Sequence, residues 1–273
     1  MQQNDFIKAS PLGDQCAYVT EYTPGLLYPI PRNTPWKPKF SSRPFYGIDV
    51  WNAFEVSWLN EKGLPQVVLA EFRIPSDSPH IIESKSFKLY LNSFNQTKMA
   101  SAADVQELMV VDLSAAAGAD VQVTLYSLQD MAMPILPAPG TNIDQQDIQI
   151  STYEPDASLL SSNVTAYRTE VLHSNLLKSN CPVTGQPDWA TLVIEYEGPT
   201  IERAGLLAYI VSYREHGDFH EQCVEQIFLD IKAQCKPGQL TVYARYVRRG
   251  GLDINPYRST RPLSPSNHRT SRQ

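Results

Sequence analysis

Residues 191–199 read Thr191-Leu-Val-Ile-Glu-Tyr-Glu-Gly-Pro199, and residues 67–75 read Val67-Val-Leu-Ala-Glu-Phe-Arg-Ile-Pro75. Both stretches are rich in aliphatic and β-branched residues and stop at a proline, which is typical of a β-strand. They also match at the central glutamate and at the aromatic residue that follows it. This likeness indicates that the chain contains one structural unit twice.

The segments that follow each stretch support a duplication. Helix-like segments with apolar residues three to four apart come next, and a strand-like alternation follows them. Any α+β protein contains such runs, but the shared order and the match of Tyr90 with Tyr209 favour duplication. Each half reads strand, strand, helix, helix, strand, strand, which predicts an α+β fold with two helices on one face of an antiparallel sheet. The matching segments are residues 88–94 with 207–213, 103–113 with 222–231, and 121–126 with 240–246.

A proline-rich stretch divides the two halves. Residues 133–140 read Met133-Pro-Ile-Leu-Pro-Ala-Pro-Gly140, which is typical of a linker or of an ordered crossing segment. We therefore expect an N-terminal module at residues 1–137, a linker at 138–150 and a C-terminal module at 151–273.

Composition narrows the class of protein. The 273 residues are 42% hydrophobic and carry a net charge of -6, so no global field attracts nucleic acid or an anionic membrane. No apolar run is long enough to span a bilayer, and the N-terminus lacks the pattern of a signal peptide. The four cysteines show no disulfide framework. These features predict a cytoplasmic protein with reduced thiols and no direct nucleic-acid or membrane partner.

A loop in the second half pairs a thiol with a carboxyl. It reads Asn180-Cys-Pro-Val-Thr-Gly-Gln-Pro-Asp188, and Pro and Gly make it tight. A thiolate is a strong nucleophile, and the carboxyl of Asp188 can orient or transfer a proton. An ordinary loop cysteine is the alternative, but nearby candidates for proton transfer favour a catalytic Cys181.

Phe219-His220-Glu221 supplies such candidates just before an apolar-periodic helix. Glu221 is either a first-turn acid favoured by the helix dipole or, with His220, a hydrogen-bonding partner for a polar heterocycle that stacks on Phe219. No cluster of histidines and cysteines has the short spacing of a structural zinc site. A catalytic metal held by distant ligands stays open at this point.

Glu83-Ser84-Lys85-Ser86-Phe87-Lys88 begins a helix in the first half. Its lysines form either a solvated face or, with Ser84 and the helix N-terminus, a phosphate site. The turn Arg248-Arg249-Gly250-Gly251 offers a second basic clamp, and together the two suit a polyphosphate such as NADPH. No GxGxxG fingerprint is present, so a nicotinamide cofactor would bind by another route.

Together these motifs resemble the NADPH-dependent 7-cyano-7-deazaguanine reductases, nitrile reductases of queuosine biosynthesis. The likeness rests on residues 83–90, Asn180-Cys181-Pro182 with Asp188, residues 219–221 and residues 249–256, and spans nearly the whole chain in its long, two-module form. It implies tandem tunnelling-fold modules, in which antiparallel sheets are each backed by a pair of helices. It also implies a homodimer and a small deazapurine substrate.

The resemblance further implies roles for individual residues. Cys181 would add to the nitrile and form a thioimide. Asp188 would donate protons to the nitrogen, and no metal would be needed. The implied substrate-binding residues are Ile82, Glu83, Ser84, Phe219, His220 and Glu221, and the implied NADPH-binding residues are Ser84, Lys85, Arg249 and Gly250. Two alternatives remain: a zinc-dependent purine cyclohydrolase of the same fold, and a non-catalytic pterin- or purine-binding protein.

Overall fold

The computed structural model of the chain describes residues 19–33, 37, 40–130 and 133–273. These residues form two compact units, each with its own hydrophobic core. The first unit holds Asp49–Pro134 and Arg248–Ile254 with the described residues up to Asn33, and the second holds Ile135–Val247, Asn255–Gln273 and the described part of Thr34–Ile48. The modules at 1–137 and 151–273 stay a prediction. The turn near residue 250 packs with the first unit, although it is distant from that unit in sequence.

The first unit is built on a sheet in which β3 lies between β2 and β5. β3 and β5 run antiparallel, with Leu69 opposite Tyr126. Two short strands, β1 and β4, form a separate antiparallel pair. The strands are β1 (Pro29–Pro31), β2 (Tyr46–Leu59, mostly in this unit), β3 (Pro65–Pro75), β4 (His80–Ile82) and β5 (Gln122–Tyr126).

Two helices, α1 (Ser84–Ser93) and α2 (Ala102–Ala117), pack on this sheet. The buried residues of α2 recur every four positions, at Val105, Met109, Leu113 and Ala117, so they form one apolar stripe that faces the core. The hydroxyl of Ser101 caps the start of α2, and Gly118 ends it in a left-handed conformation with a φ of 70°.

The second unit contains a larger sheet of order β10-β9-β8-β7-β6. Its long neighbours pair antiparallel, and only the two-residue β6 is parallel to its partner. The helices share one core with the apolar face of β8 and β9. The elements are β6 (Thr141–Asn142), β7 (Ser162–Asn180), β8 (Pro187–Ile201), α3 (Arg203–Ser212), α4 (His220–Gln234), β9 (Gln239–Tyr246) and β10 (Leu252–Ser259, which ends in this unit). Short 3-10 turns lie at Pro24–Leu26, Ala157–Leu159 and Tyr213–Glu215.

One pair of side-chain contacts matches between the two units, and it supports the internal repeat, which stays a prediction. Tyr90 of α1 donates to Asp112 of α2 at 2.7 Å, and Tyr209 of α3 donates to Asp230 of α4 at 2.8 Å. Burial and the neighbouring carboxylate raise the pKa of both tyrosines well above the ordinary value, so both stay protonated donors. In each unit a tyrosine-to-aspartate hydrogen bond therefore joins the two helices, part-buried in the first unit and buried in the second.

Two details of the predicted strands are wrong. β8 does not stop at Pro199 but continues to Ile201. It can do so because Pro199 pairs with β7 where the ladder shifts register, and an irregular ladder tolerates a residue without an amide hydrogen. The first half also lacks its predicted last strand, since no strand occupies the described residues 127–130 and 133–140.

The linker at 138–150 stays a prediction, and within it residues 139–144 pack along β7. Thr141 and Asn142 pair with that strand. The carboxylate of Asp144 accepts hydrogen bonds from the Ser174 hydroxyl at 2.6 Å and from the Asn175 amide at 3.0 Å. The crossing segment is thus fixed by backbone and side-chain bonds.

The described residues also bear on the expectations from composition. None of their helices combines the length and the apolar character needed to cross a bilayer. Cys181, Cys223 and Cys235 are free thiols, while Cys16 lies outside the described residues. Cys223 is a fully buried residue of α4, and burial raises the pKa of its thiol well above the ordinary value, as a structural cysteine requires.

A buried ion pair in the second unit leads to a stability prediction. Arg258 Nε and Nη2 lie 3.1 and 2.7 Å from Glu225 Oε1, and the two side chains are 0% and 5% exposed. Removing one partner leaves a buried charge uncompensated. We expect Glu225→Ala to lower the free energy of unfolding by about 3–5 kcal/mol in urea denaturation.

The exposed pair of Glu195 and Arg261, with 3.6 Å between charged atoms, provides the control. Glu195→Ala should cost less than about 1 kcal/mol, because exposed pairs are screened by solvent. Equal losses in Glu225→Ala and Glu195→Ala would contradict the prediction.

Candidate active site

A tight hairpin holds the predicted nucleophile. β7 pairs with β8 up to its last residue, so residues 181–186 form the connecting loop. The Cys181 amide donates to the Gln186 carbonyl at 2.9 Å, and the Gly185 amide donates to the Cys181 carbonyl at 3.0 Å. Cys181 is half-buried and its thiol is free. The nucleophile therefore sits on a loop that its own backbone closes.

The connection between α3 and α4 runs beside this hairpin. The Asn180 amide donates to the His216 carbonyl at 2.8 Å, and the Asp218 amide donates to the Asn180 carbonyl at 3.2 Å. The Lys178 ammonium donates to the Arg214 carbonyl at 2.6 Å. These bonds hold the start of α4 next to the end of β7, and so bring together residues that are distant in sequence.

Asp188 and His220 form a buried pair. His220 Nε2 lies 3.2 Å from Asp188 Oδ2, and the side chains are 12% and 4% exposed. The ring of Tyr246, the last residue of β9, stacks on the imidazole with centroids 3.8 Å apart and planes 7° from parallel. The stack and the carboxylate together fix the orientation of the ring, so that the pair can hold or transfer a proton at a defined place.

The position of Asp188 corrects an expectation from the sequence. It is not on the loop with Cys181 but is the second residue of β8, opposite Ser179 in the ladder. Side chains alternate between the faces of a strand, so the ladder sets the direction of the carboxyl. His220 Nδ1 is buried and has no hydrogen-bond partner among the described residues, which makes it an atom that a ligand could satisfy.

α4 begins at His220, and Phe219 occupies its capping position. The Phe219 amide donates to Asp218 Oδ1 at 2.8 Å, which fixes the backbone just before the helix. Glu221 lies in the first turn and is 2% exposed. The first-turn position that the sequence predicts for Glu221 is confirmed, and a carboxylate is stabilised there by the helix dipole.

Glu83 caps α1 in the first unit. Its carboxylate accepts from the Lys85 and Ser86 amides, both at 2.7 Å, and its own amide donates to the Tyr28 carbonyl at 2.9 Å. It is 1% exposed. Burial raises the pKa of this carboxyl, against the opposing effects of the two amides and of the Lys88 and Lys85 charges. Glu83 therefore stabilises the start of α1 as its N-cap, a structural role that the sequence motif did not indicate.

The neighbours of Glu83 lie where β4 meets α1. Ile82 is the last residue of β4 and is buried, and Ser84 is the first residue of α1 and is half-buried. The predicted residues 82–85 are thus consecutive at a strand-to-helix junction. The amides at such a helix N-terminus favour anionic groups.

The glycine turn packs against the lysine-bearing helix. Gly250 and Gly251 have φ values of 58° and 72°, in the left-handed region. A methyl group added at Gly250 would lie 3.4 Å from Lys88 Cδ, and one at Gly251 would lie 2.5 Å from the carboxyl carbon of Glu55. The left-handed backbone favours glycine at both positions, and the Glu55 side chain would have to move to admit a side chain at Gly251.

The arginines of this turn are anchored in the same unit. The Arg249 amide donates to the Leu252 carbonyl at 2.9 Å, and the Phe54 amide donates to the Gly251 carbonyl at 2.8 Å. The guanidinium of Arg248 lies 3.9 Å from the centre of the Phe54 ring. The residues predicted to bind a cofactor, Ser84, Lys85, Arg249 and Gly250, therefore all lie in the first unit.

Tyr246 is the residue of this arrangement that sequence reasoning missed. It ends a strand that alternates between faces, and alternation alone predicts a core aromatic residue there. Its stacking partner lies on α4, so no local pattern signals the contact. Across the ranges that the structure describes, no three His, Cys, Asp or Glu side chains converge as a metal site would require.

Two family descriptions match the chain. Residues 18–125 match "Nitrile reductase, 7-cyano-7-deazaguanine-reductase N-term", and residues 187–263 match "QueF-like protein". The chain belongs to the nitrile reductase family. The first match contains the Glu83 junction, the second contains Asp188, His220 and the glycine turn, and Cys181 lies six residues before the second.

As a nitrile reductase, the chain is an oxidoreductase that acts on 7-cyano-7-deazaguanine in queuosine biosynthesis. The family matches thus favour the reductase over a purine cyclohydrolase or a non-catalytic binding protein. Among solved structures, "the archaeosine synthase QueF-Like in the apo form" is 18% identical, and the match covers 36% of this chain and 96% of that chain with a TM-score of 0.30. The mixed α+β class is confirmed, and the tandem tunnelling fold stays a prediction.

Proposed function

We propose that this nitrile reductase uses NADPH and holds its substrate covalently on Cys181. The observation that carries the proposal is the buried Asp188–His220 pair, because the hairpin that presents Cys181 also presents Asp188. Addition of a nucleophile to a nitrile needs a thiol and a group that delivers a proton to nitrogen. Both are present on this hairpin and on the first turn of α4.

The first step is the addition of the Cys181 thiol to the nitrile carbon. A sulfur–carbon bond forms, one π bond of the nitrile breaks, and the nitrogen gains a proton. Asp188 relays to the nitrogen the proton that the thiol loses, while His220 keeps the carboxyl in place through its Nε2. The result is a thioimide that holds the substrate on the protein.

Conversion of a nitrile to an amine takes four electrons, which two molecules of NADPH supply as two hydrides. Between the two reductions the carbon–sulfur bond breaks, and Cys181 leaves as a thiolate, so an imine is the second acceptor. Two protons are taken up from solvent in total: Asp188 delivers one to the nitrogen in the second reduction, and the other restores the Cys181 thiol. The product is 7-aminomethyl-7-deazaguanine.

Recognition of the deazapurine is proposed for the first turn of α4. The Glu221 carboxylate would accept hydrogen bonds from the amino and ring N–H groups, the Phe219 ring would stack on the base, and the buried His220 Nδ1 would gain a partner. The resemblance also implies that Ile82, Glu83 and Ser84 bind the substrate, and this role stays a prediction. Glu83 retains capacity for it, because a carboxylate has about four lone-pair sites and the cap uses two.

The residues of the first unit fit NADPH. Phosphate groups need cationic and N–H donors, and Lys85, Arg249 and the amides at the start of α1 are of that kind. Gly250 adds a backbone without a side chain, so a phosphate can approach the turn closely. We assign the cofactor to Ser84, Lys85, Arg249 and Gly250, and add Lys88 because it contacts the turn.

Removing charge at this site should weaken the cofactor selectively. We expect Lys85→Gln or Arg249→Gln to raise the KM for NADPH by about 10- to 100-fold, since a charged hydrogen bond contributes about 1.5–3 kcal/mol. The KM for the nitrile should change by less than about threefold under the same NADPH saturation. Steady-state kinetics with each substrate varied in turn measures both.

Lys62 provides the matched control, since it is an exposed lysine of the first unit in the turn between β2 and β3. Lys62→Gln should leave both KM values unchanged. Equal losses of affinity for NADPH and for the nitrile in Lys85→Gln would rule out the cofactor assignment.

The stoichiometry of the reaction tests the proposal as a whole. The expected consumption is two NADPH oxidised per amine formed, with no change in rate when a metal chelator is present. A ratio of one, or loss of activity on chelation, would contradict the proposed chemistry. Absorbance at the NADPH band, with chromatographic measurement of the amine, provides the ratio.

The remaining expectations from the sequence stay predictions. They are a homodimer, a cytoplasmic location and the absence of a direct nucleic-acid partner. Sedimentation velocity should give the mass of two chains, and added tRNA should leave the rate with the free base unchanged.

A further inference from the structure

The sheet of the second unit lines a half-open cavity on the side opposite its helices. Along β8, Leu192 and Ile194 belong to the core, while Val193 and Glu195 line the cavity. The volume is about 220 Å³, smaller than the roughly 300–1,000 Å³ of pockets for drug-sized ligands. The cavity therefore suits a small ligand. The other lining residues are Ala138, Pro139, Thr241, Tyr243, Arg245, Tyr257, Pro265, Ser266, His268 and Thr270.

Arg245 stands out among the lining residues because none of the described carboxylates forms an ion pair with it. It is 2% exposed. Its Nε donates to Gln273 Oε1 at 3.0 Å, and its Nη1 donates to Asn267 Oδ1 at 3.1 Å and to the Tyr243 hydroxyl. All of these partners are neutral. Nη2 is buried and has no partner among the described residues.

An isolated buried cation is costly unless an anion offsets it. The other basic residue of the cavity wall, His268, cannot act as a counter-ion. Burial and the nearby Arg245 charge lower the pKa of its imidazole. Its Nδ1 lies 3.1 Å from the Ser266 hydroxyl. The one carboxylate on the wall, Glu195, is half-exposed and lies 3.6 Å from Arg261.

We propose that this cavity binds a small oxyanion, a phosphate or carboxylate group, with Arg245 as its charged partner. The guanidinium supplies N–H donors in the planar arrangement that such groups accept. Thr241, Ser266 and His268 supply further polar groups on the wall. The edge-to-face rings of Tyr243 and Tyr257, 5.5 Å apart, form the apolar side.

This cavity is separate from the residues to which the catalytic steps and NADPH binding are assigned. Arg245 and Tyr246 are neighbours on β9, so their side chains lie on opposite faces of the sheet. Tyr246 contacts His220 on the helix side, whereas Arg245 lines the cavity. The residues assigned to NADPH belong to the first unit and do not line the cavity.

Thermal unfolding of the full chain tests the proposal. Inorganic phosphate and sodium acetate are compared with sodium chloride at equal ionic strength. At about ten times its Kd, a bound anion should raise Tm by about 3–6 °C. A shift with phosphate alone identifies a phosphate site, a shift with acetate alone a carboxylate site, and a shift with both a general oxyanion site. If neither phosphate nor acetate raised Tm more than sodium chloride does, the proposal would be overturned.

Two variants locate the effect. Arg245→Met should lose the anion-dependent shift, whereas Lys85→Gln, which removes a charge from the proposed cofactor site, should keep it. The reverse pattern would place the anion at the cofactor site and overturn the proposal.

A measurement on the unaltered protein covers the case in which Arg245→Met does not fold. Titration with the same anions should move the ring resonances of His268 in an NMR spectrum of histidine-labelled protein. His80, which lies in the first unit, should not move. An unmoved His268 at saturating anion would contradict binding in the cavity.

Discussion

Cys181→Ala is expected to lower kcat by at least about 10⁴-fold, since loss of a covalent nucleophile removes the reaction path itself. Incubation of the unaltered protein with 7-cyano-7-deazaguanine, without NADPH, should yield a species heavier by one substrate molecule in intact-mass spectrometry. That species should be absent from Cys181→Ala. NADPH oxidation measures the rate, and the mass spectrum measures the adduct.

Cys235 provides the matched control for the thiol. It lies at the end of α4, 1% exposed, and burial raises its pKa to about 11, so it is a poor nucleophile at neutral pH. Cys235→Ala should keep both the adduct and most of the rate. An adduct that persists in Cys181→Ala, or a rate that does not change, would rule out the covalent mechanism.

Asp188→Asn is expected to lower kcat by about 10²- to 10⁴-fold, the usual contribution of a general acid. The amide keeps the size of the side chain and a bond to His220 Nε2, but it cannot give up a proton at neutral pH. Steady-state rates, with Tm as a check on folding, measure the effect.

Asp218→Asn is the control for Asp188→Asn. Asp218 Oδ1 accepts from the Phe219 amide, and asparagine can accept the same bond, so the rate should fall by less than about threefold. The mechanism would be wrong if Asp188→Asn kept the full rate. His220→Gln separates positioning from proton transfer, because it keeps the Asp188 carboxyl and should reduce kcat less than Asp188→Asn does.

Several elements of the fold could be predicted from periodicity because their signal is local. The apolar spacing of α2 and α4 and the strand character of β3 and β8 are carried by neighbouring residues. The register between strands is not local. It places Asp188 on β8 opposite Ser179, although the surrounding Pro and Gly residues are typical of a loop.

In the candidate site, too, some features have a local sequence signal and others depend on contacts between distant segments. The residue types of Cys181, His220 and Glu221 indicate their chemistry, and short motifs identify them. The pairing of Asp188 with His220 depends on the bonds that hold the α3–α4 connection against β7, more than thirty positions away. Sequence spacing alone does not encode such a contact.

The sequence by itself determined the α+β class, the helices and the motif residues, because apolar period and residue chemistry are properties of short segments. Only the tertiary structure decided that Glu83 caps a helix, that Tyr246 stacks on His220, that the glycine turn belongs to the first unit, and that Arg245 has no ion-pair partner in the part of the chain that the structure describes. These features depend on burial and on contacts between distant segments. A side chain acquires such neighbours only when the whole chain has packed.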